Sequence, residues 1–201
     1  MKARMAKIRR VTCEVTIRGR LNLDGSGRSS ISTGIPFLNH MLELLAKHGL
    51  FDLQVRATGD LDVDLHHTNE DLGLALGEAF QKALGAKKGI RRMGSAFVPM
   101  DETLARVRTV VDVSGRPYFR WDGKKAAAAS AGVGYGVVDA RHFLESFVSK
   151  AALTVHVDLL KAGEDTHHLL EAVFKAFGRA LRMAVETDPR VKGLPSTKGK
   201  L

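Results

Sequence analysis

The sequence contains little cysteine and few aromatic residues, and each shortage argues against a class of protein. A single cysteine, Cys13, cannot form a disulfide within the chain, so we expect a reducing cytoplasm rather than a disulfide-stapled secreted fold. The nine Phe, two Tyr and one Trp fall mostly in phase with the predicted core, which leaves few stacking platforms for single-stranded nucleic acid. The charge-free stretch Ala126–Val138 is too short and too rich in Gly and Ala to span a bilayer, and no apolar signal region follows the basic N-terminus.

The charge balance is strongly basic for a chain of ordinary composition. Its 201 residues include 31 Lys and Arg against 22 Asp and Glu, which gives a net charge of +9 and a sequence pI near 9.9. Such a chain binds nucleic acid, an anionic membrane or a phosphorylated small molecule, or its charge serves only solubility. Composition does not choose among these, but the positions of the histidines do.

The histidines belong to an internal repeat. The pattern His-His-x-x-Glu occurs at 66–70 and again at 167–171, and a lead histidine followed by x-Leu-Glu precedes each copy, His40 by 26 residues and His142 by 25. Matching small residues lie 101 positions apart: Ala75, Gly77, Ala79 and Ala83 correspond to Ala176, Gly178, Ala180 and Ala184. We interpret the chain as a duplication within one compact domain.

The two halves, 1–90 and 91–201, repeat the same order of predicted elements. Helical and alternating apolar spacings predict helices near 37–47, 72–84, 139–149 and 169–184, and strands near 11–18, 51–57, 105–113 and 153–159. Residues 122–138 are interpreted as a loop without a chemical role, and 188–201 as an irregular tail. The fold class is therefore α+β, with each half a mixed sheet that carries helices on one face.

The repeat supplies ligands for metal. His66 and Glu70 share a helical face, whereas adjacent histidines diverge by about 100° and are better placed for two different ions. The full set is His40, His66, His67, Glu70, His142, His167, His168 and Glu171. Shared evenly, it gives three imidazoles and one carboxylate per ion, which leaves about two octahedral positions open. Mn, Fe, Zn, Co and Ni all accept such ligands. One His-x-x-Glu alone is more often a surface or core feature.

Several basic residues are candidates for holding an anion. They are Arg92, Arg116, Lys175 and the segment 195–199, because Arg forks, Ser and Thr hydroxyls and a flexible Lys together suit phosphate. Taken singly, each is more often a solvated surface charge. Two interpretations of His48 stay open: it contacts a substrate, or it is a histidine at a helix C-terminus that the helix macrodipole favours.

Together these motifs resemble the imidazoleglycerol-phosphate dehydratase family. The matching segments span nearly the whole chain in order, at 39–43, 64–71, 99–102, 112–118, 167–176 and 195–199. The resemblance implies a lyase of histidine biosynthesis in the cytoplasm. It would dehydrate D-erythro-imidazoleglycerol phosphate to imidazole acetol phosphate with two Mn²⁺ ions per active site. It implies neither nucleic-acid nor membrane partners.

The resemblance also implies roles for individual residues. All eight members of the repeat become metal ligands, and the substrate is surrounded by Glu14, His48, Arg92, Arg116, Lys175, Ser196, Thr197 and Lys198. The helices are expected to pack between two sheets, and 24 subunits to assemble with active sites at their contacts. Asn39 stands where the family usually has Asp, so a partner that orients His40 is expected to be weakened.

The proton that is lost lies beside no carbonyl, so its acidity must come from elsewhere, and the substrate's imidazole can supply it. A metal-bound imidazolate of the substrate can expel the hydroxyl on the attached carbon, after which the neighbouring carbon loses its proton and the enol becomes a ketone. Glu14 is our hypothesis for the general acid/base. Two other readings stay open: a different two-metal hydrolase of a phosphorylated small molecule, and a basic nucleic-acid-binding protein with structural metal.

Overall fold

The chain forms two similar sets of strands and helices. The computed structural model describes residues 3–101, 107–123, 134–160 and 165–201. The described elements are β1 (Met5–Val11), β2 (Val15–Asn22), β3 (Ser29–Ser32), α1 (Pro36–Gly49), β4 (Asp52–Gly59), α2 (His66–Leu84), β5 (Met93–Ala96), β6 (Val107–Asp112), β7 (Tyr118–Asp122), α3 (Val137–Ala151), β8 (Thr154–Leu159) and α4 (Thr166–Val185).

The strands form two sheets of four with the same topology. The strand orders are β1-β2-β4-β3 and β5-β6-β8-β7. In each sheet the last pair, β3 with β4 and β7 with β8, is parallel, and the other pairs are antiparallel. Helix α2 packs on α3 and on the first sheet, while α4 packs on α1 and on the second. The predicted α+β class, with helices between two mixed sheets, is confirmed.

Close helix packing depends on two glycines at matched positions of the repeat. A Cβ atom on Gly77 of α2 would lie 2.3 Å from the carbonyl oxygen of Phe147 on α3. A Cβ atom on Gly178 of α4 would lie 2.6 Å from the carbonyl oxygen of Leu45 on α1. Only glycine fits at such distances, so the duplicated glycine lets both helix pairs approach closely. None of the described helices combines the length and apolar character that crossing a bilayer requires.

The strand predicted over 11–18 is confirmed over 15–18, which lies in β2, and is wrong over 12–14. Strand β1 ends at Val11 and β2 begins at Val15, so the predicted run spans a turn between two antiparallel strands. The hydroxyl oxygen of Thr12 accepts from the backbone N–H groups of Glu14, at 3.3 Å, and Val15, at 2.9 Å. This local bonding breaks the extended chain at a point where the apolar alternation continues without interruption.

The loop predicted over 122–138 is wrong at its C-terminal end. Helix α3 begins at Val137, and the preceding Tyr135 is fully buried with its hydroxyl 3.1 Å from Oδ1 of Asn69. The abundance of Gly and Ala in this segment concealed one aromatic anchor that packs into the core. The remainder of that prediction, at 124–133, lies outside the described residues.

Candidate metal centre

Three residues from both halves of the chain converge at one end of helix α4. Nε2 of His40 lies 2.7 Å from Oε1 of Glu171, and Nε2 of His167 lies 3.0 Å from the same oxygen. Each residue offers one ligand atom, and these atoms all lie within 4.8 Å of one another. We call His40, His167 and Glu171 the first cluster. Two imidazoles and a carboxylate without a thiolate suit a divalent ion of the Mn-to-Zn series.

The ends of two packed helices position the first cluster. His167 and Glu171 lie one turn apart at the start of α4, where the Asp165 carboxylate accepts from the backbone N–H of His167 at 2.7 Å. His40 lies on α1, which packs against α4. The ring of Phe37 meets the His167 ring edge-on, with centroids 5.1 Å apart. The Asp165 cap and the contact with Phe37 therefore orient the imidazole of His167.

The carboxylate of the first cluster carries the negative charge that attracts a metal cation. Burial tends to raise the pKa of Glu171, but hydrogen bonds from Lys175, His40 and His167 outweigh it and lower the pKa to about 2. Nζ of Lys175 donates to Oε2 of Glu171 at 2.6 Å and lies 3.2 Å from Sδ of Met100. The carboxylate is therefore ionised at neutral pH. Its Oε1 faces the histidines and its Oε2 faces the lysine.

A second group contains the same residue types with the two halves exchanged, although among the described residues only the first cluster brings all three ligand atoms within 4.8 Å of one another. Nε2 of His66 lies 3.6 Å from Oε2 of Glu70, and the ring of His66 meets that of His142 edge-on with centroids 5.3 Å apart. We call His66, Glu70 and His142 the second cluster. They line an open groove of about 360 Å³ together with Leu74, Glu145, Ser146 and Ser149.

Each cluster takes its lead histidine from one half and its His–Glu pair from the other. His40 meets the pair of the second half because α1 packs on α4, and His142 meets the pair of the first half because α3 packs on α2. Helix packing, rather than spacing along the chain, decides this exchange. The duplication predicts the ligand set, but not which lead histidine joins which pair.

The second histidine of each pair holds its ring at a steep angle to the ring of the first. The His67 ring is inclined by 75° to that of His66, and the His168 ring by 82° to that of His167. Nδ1 of His67 lies 2.8 Å from Oδ2 of Asp60 and 4.0 Å from Oε1 of Glu14. The hydrogen bond with Asp60 raises the pKa of His67.

The sequence prediction missed Asp60, although its position directly after Gly59, the last residue of a strand, was a usable signal.

Asn39 does not contact His40 through any described hydrogen bond. Its Oδ1 instead accepts from the backbone N–H of Thr33 at 3.0 Å and from the Thr33 hydroxyl at 2.6 Å. Asn39 therefore stabilises the chain segment at Thr33 that leads into α1.

The predicted anion residues lie in three places. Lys175 is beside the first cluster, as described. Arg92 is paired with Asp112 at 2.7 Å and donates to the carbonyl of Pro195 at 2.9 Å, so it ties the C-terminal tail to strand β6. Ser196, Thr197 and Lys198 form a turn in that tail, which carries no helix or strand, as expected.

Arg116 follows the Ser114 turn, and its side chain is exposed. Within the described ranges, no hydrogen bond or ion pair joins Arg92, Arg116 or the tail segment 195–199 to either cluster. Asp112 was not singled out from the sequence. No pattern marks it, since its partner Arg92 is 20 residues away.

His48 is expected to titrate below the usual range for histidine. Burial lowers its pKa, and the nearby charges of Lys175 and Arg179 lower it further. The ring is therefore neutral at pH 7 and gains a proton only below the ordinary midpoint of about 6.5. A proton NMR titration of the His48 ring tests this. The substitution Arg179→Gln removes one positive charge and should raise the midpoint, whereas a midpoint above that of free histidine would contradict the assignment.

Comparison with known proteins gives one family. A family model described as imidazoleglycerol-phosphate dehydratase matches residues 33–181. A curated protein of that name from Acidithiobacillus ferrooxidans is 52% identical and covers 100% of this chain and 99% of its own length. Another from Geobacillus kaustophilus is also 52% identical, covering 99% of this chain and 100% of its own.

Solved structures of the same name share the fold. The crystal structure of imidazoleglycerol-phosphate dehydratase from Staphylococcus aureus superposes with a TM-score of 0.78 at 36% identity, covering 92% of this chain and 99% of its own. That from Pyrococcus furiosus gives 0.80 at 35% identity, covering 96% and 99%. Both likenesses extend across the two halves of the chain.

Proposed function

The chain belongs to the imidazoleglycerol-phosphate dehydratase family and is a hydro-lyase, and we propose that it converts D-erythro-imidazoleglycerol phosphate into imidazole acetol phosphate and water. The family assigns this dehydration to histidine biosynthesis. The observation that carries the proposal is the convergence of His40, His167 and Glu171 at ligand distance in a chain with these relatives. The cytoplasm is the proposed location, since the lone Cys13 is an exposed free thiol.

Two divalent ions, proposed to be Mn²⁺, fit the two clusters. Each cluster contains two imidazoles and one carboxylate; the ligand atoms of the first lie within 4.8 Å of one another, and in the second Nε2 of His66 lies 3.6 Å from Oε2 of Glu70. The low pKa of Glu171 keeps the first carboxylate charged. The donor set lacks a thiolate, which suits Mn²⁺ better than a structural zinc site. When bound, such ions supply Lewis acidity and a template for the substrate's imidazole ring.

The remaining histidines are proposed to complete the clusters of a neighbouring subunit. Three ligands from one chain leave an octahedral ion incompletely held, and the first cluster includes neither His67 nor His168. One further imidazole from another chain gives three imidazoles and one carboxylate per ion. This supports a homo-oligomer with active sites at subunit contacts, for which the family resemblance implies 24 subunits.

The proposed reaction uses the substrate's own ring as the electron source. When the ring is ionised, the hydroxyl on the attached carbon takes up a proton and leaves as water, and a diazafulvene-like intermediate forms. The neighbouring carbon then loses its proton, a ring nitrogen regains one, and the resulting enol becomes the ketone. Glu14 is the proposed acid/base, because its carboxylate is exposed and 4.0 Å from Nδ1 of His67, a proposed ligand.

The substrate's phosphate is proposed to lie against cationic and hydroxyl side chains. Arg116 and Lys198 are exposed, and Ser196 and Thr197 offer hydroxyls within the same turn as Lys198. Arg92 donates to the carbonyl oxygen of Pro195 beside this turn, and from that position it is proposed to contact the phosphate. Lys175 places a positive charge next to the first cluster without displacing a ligand. The same charge contributes to the lowered pKa of His48.

The product distinguishes dehydration from hydrolysis. Incubation of the purified chain with imidazoleglycerol phosphate and Mn²⁺ is expected to yield a phosphorylated ketone, detected as its enolate in alkali, with no release of inorganic phosphate. A two-metal hydrolase acting on the same substrate would release phosphate and form no ketone. That result would refute the proposed function.

A further inference from the structure

The outer face of the first sheet carries a grid of basic side chains. Strand pairing places Arg9 opposite Arg18, and Arg18 opposite Arg56, in one row across β1, β2 and β4. In the next row Lys7 lies opposite Arg20. All five residues are exposed. We call Lys7, Arg9, Arg18, Arg20 and Arg56 the basic face, and it accounts for a large share of the excess positive charge.

The charge of the basic face is not compensated locally. In the part of the chain that the structure describes, none of its five residues forms an ion pair. The carboxylate of Asp52, which lies on the same face, is already occupied: it accepts from the Arg28 guanidinium at 2.7 Å and from the backbone N–H of Ser26 at 2.8 Å. Like charges directly opposite each other destabilise a sheet, so an anionic ligand would relieve this repulsion.

Neutral donors border the same cations. Strand β3 runs parallel to β4 and places Ser30 opposite Gln54 and Ser32 opposite Arg56. A shallow groove of about 560 Å³ lies between these side chains and Arg18. Arginine forks combined with hydroxyl and amide donors match the oxygens of phosphate groups better than a single carboxylate.

The spacing of the cations on the basic face favours a ligand that contains several linked phosphates. Neighbouring strands lie about 4.8 Å apart and side chains on one face recur about every 6.8 Å, so a flexible chain of phosphates can contact several cations at once. Strands β1 to β4 contain no aromatic residue on which bases could stack. A symmetric contact with a second copy would bring the same cations against each other.

We propose that the basic face binds a polyphosphate chain, the chemistry shared by inorganic polyphosphate and the triphosphate of a nucleotide. This site is separate from the two clusters, because none of its five cations is a proposed metal ligand or substrate contact. Its failure would therefore leave the proposed dehydration untouched, and the two proposals are tested by different readouts.

Isothermal titration of the full-length protein with tripolyphosphate tests the proposal. The double substitution Arg18→Gln/Arg56→Gln should weaken binding by about tenfold or more, and Arg18→Lys/Arg56→Lys should retain most of it, because phosphate contacts are largely electrostatic. Lys88→Gln/Lys192→Gln removes two exposed charges elsewhere and should bind like the unmodified chain. Binding should also weaken about tenfold or more between low and physiological salt. Dehydratase turnover should be unchanged in all variants.

The other outcomes are distinct. Equal binding by the Arg18→Gln/Arg56→Gln variant and the unmodified chain would place tripolyphosphate in the substrate's phosphate site and overturn the proposal. Tighter binding of a single-stranded oligonucleotide, lost in the same variant, would identify nucleic acid instead. A changed oligomeric state on size-exclusion chromatography would identify a subunit contact. If binding follows the proposal, a parallel titration with ATP shows which source of triphosphate is preferred.

Discussion

Replacing Glu171 by Gln is expected to lower kcat/KM for dehydration by about a thousandfold, beyond the 10- to 100-fold typical of losing an outer partner of a ligand. Oε1 of Glu171 is shared by His40 and His167, and Oε2 is held by Lys175. A neutral amide keeps the shape of the side chain but removes the charge that would attract a divalent ion. It also presents an NH₂ group to neighbours that need an acceptor.

Metal content separates this effect from a folding defect. After reconstitution with Mn²⁺ and desalting, the Glu171→Gln chain should lose the ion of the first cluster and keep that of the second, as measured by elemental analysis. Glu78→Gln is the matched control, because Glu78 pairs with Lys82 at the same i,i+4 spacing on α2. Near-normal turnover by the Glu171 variant, with circular dichroism showing a folded chain, would contradict the assignment.

Replacing Glu14 by Gln is expected to lower kcat by about 10² to 10⁴, the range for losing a general acid/base, while Mn²⁺ content stays unchanged. Glu14 lies outside both clusters, and its carboxylate is 4.0 Å from Nδ1 of His67. Its removal therefore costs proton transfer rather than metal binding. KM should change much less than kcat, because the residue acts on the reacting atoms rather than on the phosphate.

Steady-state kinetics together with elemental analysis checks this expectation. The control is Glu43→Gln, an exposed carboxylate on α1. It should leave both kcat and Mn²⁺ content near their original values. If Glu14→Gln retains full kcat with its metal bound, Glu14 is not the acid/base, and another side chain must move the proton.

The sequence predicts the long elements of this fold better than the short ones. Apolar spacing identified all four helices and the strands β4, β6 and β8, because these bury one continuous face. It did not identify β1, β3, β5 or β7. Of these, β3 and β5 are only four residues long and contain mainly small or polar side chains. Such strands are extended because a neighbouring strand binds them, and that information lies in the pairing rather than in the segment.

The site was predictable in composition but not in arrangement. The duplication predicted which residue types form the clusters, and helical geometry predicted that His66 and His67 diverge; His66 lies 3.6 Å from Glu70, whereas His67 lies 2.8 Å from Asp60. The exchange of lead histidines between halves depends on which helices pack together. Asp112 was missed because its partner Arg92 lies 20 residues away and meets it only through the fold, whereas the place of Asp60 directly after a strand was a signal that the prediction did not use.

The proposed dehydration depends on metal, and a titration of the metal-free chain with Mn²⁺ measures that dependence. The purified chain is treated with a chelator, freed of it by desalting, and assayed with imidazoleglycerol phosphate as Mn²⁺ is added back. We expect negligible turnover without metal, and recovery that saturates as both clusters fill. Formation of the ketone at full rate by the metal-free chain, without response to added Mn²⁺, would contradict it.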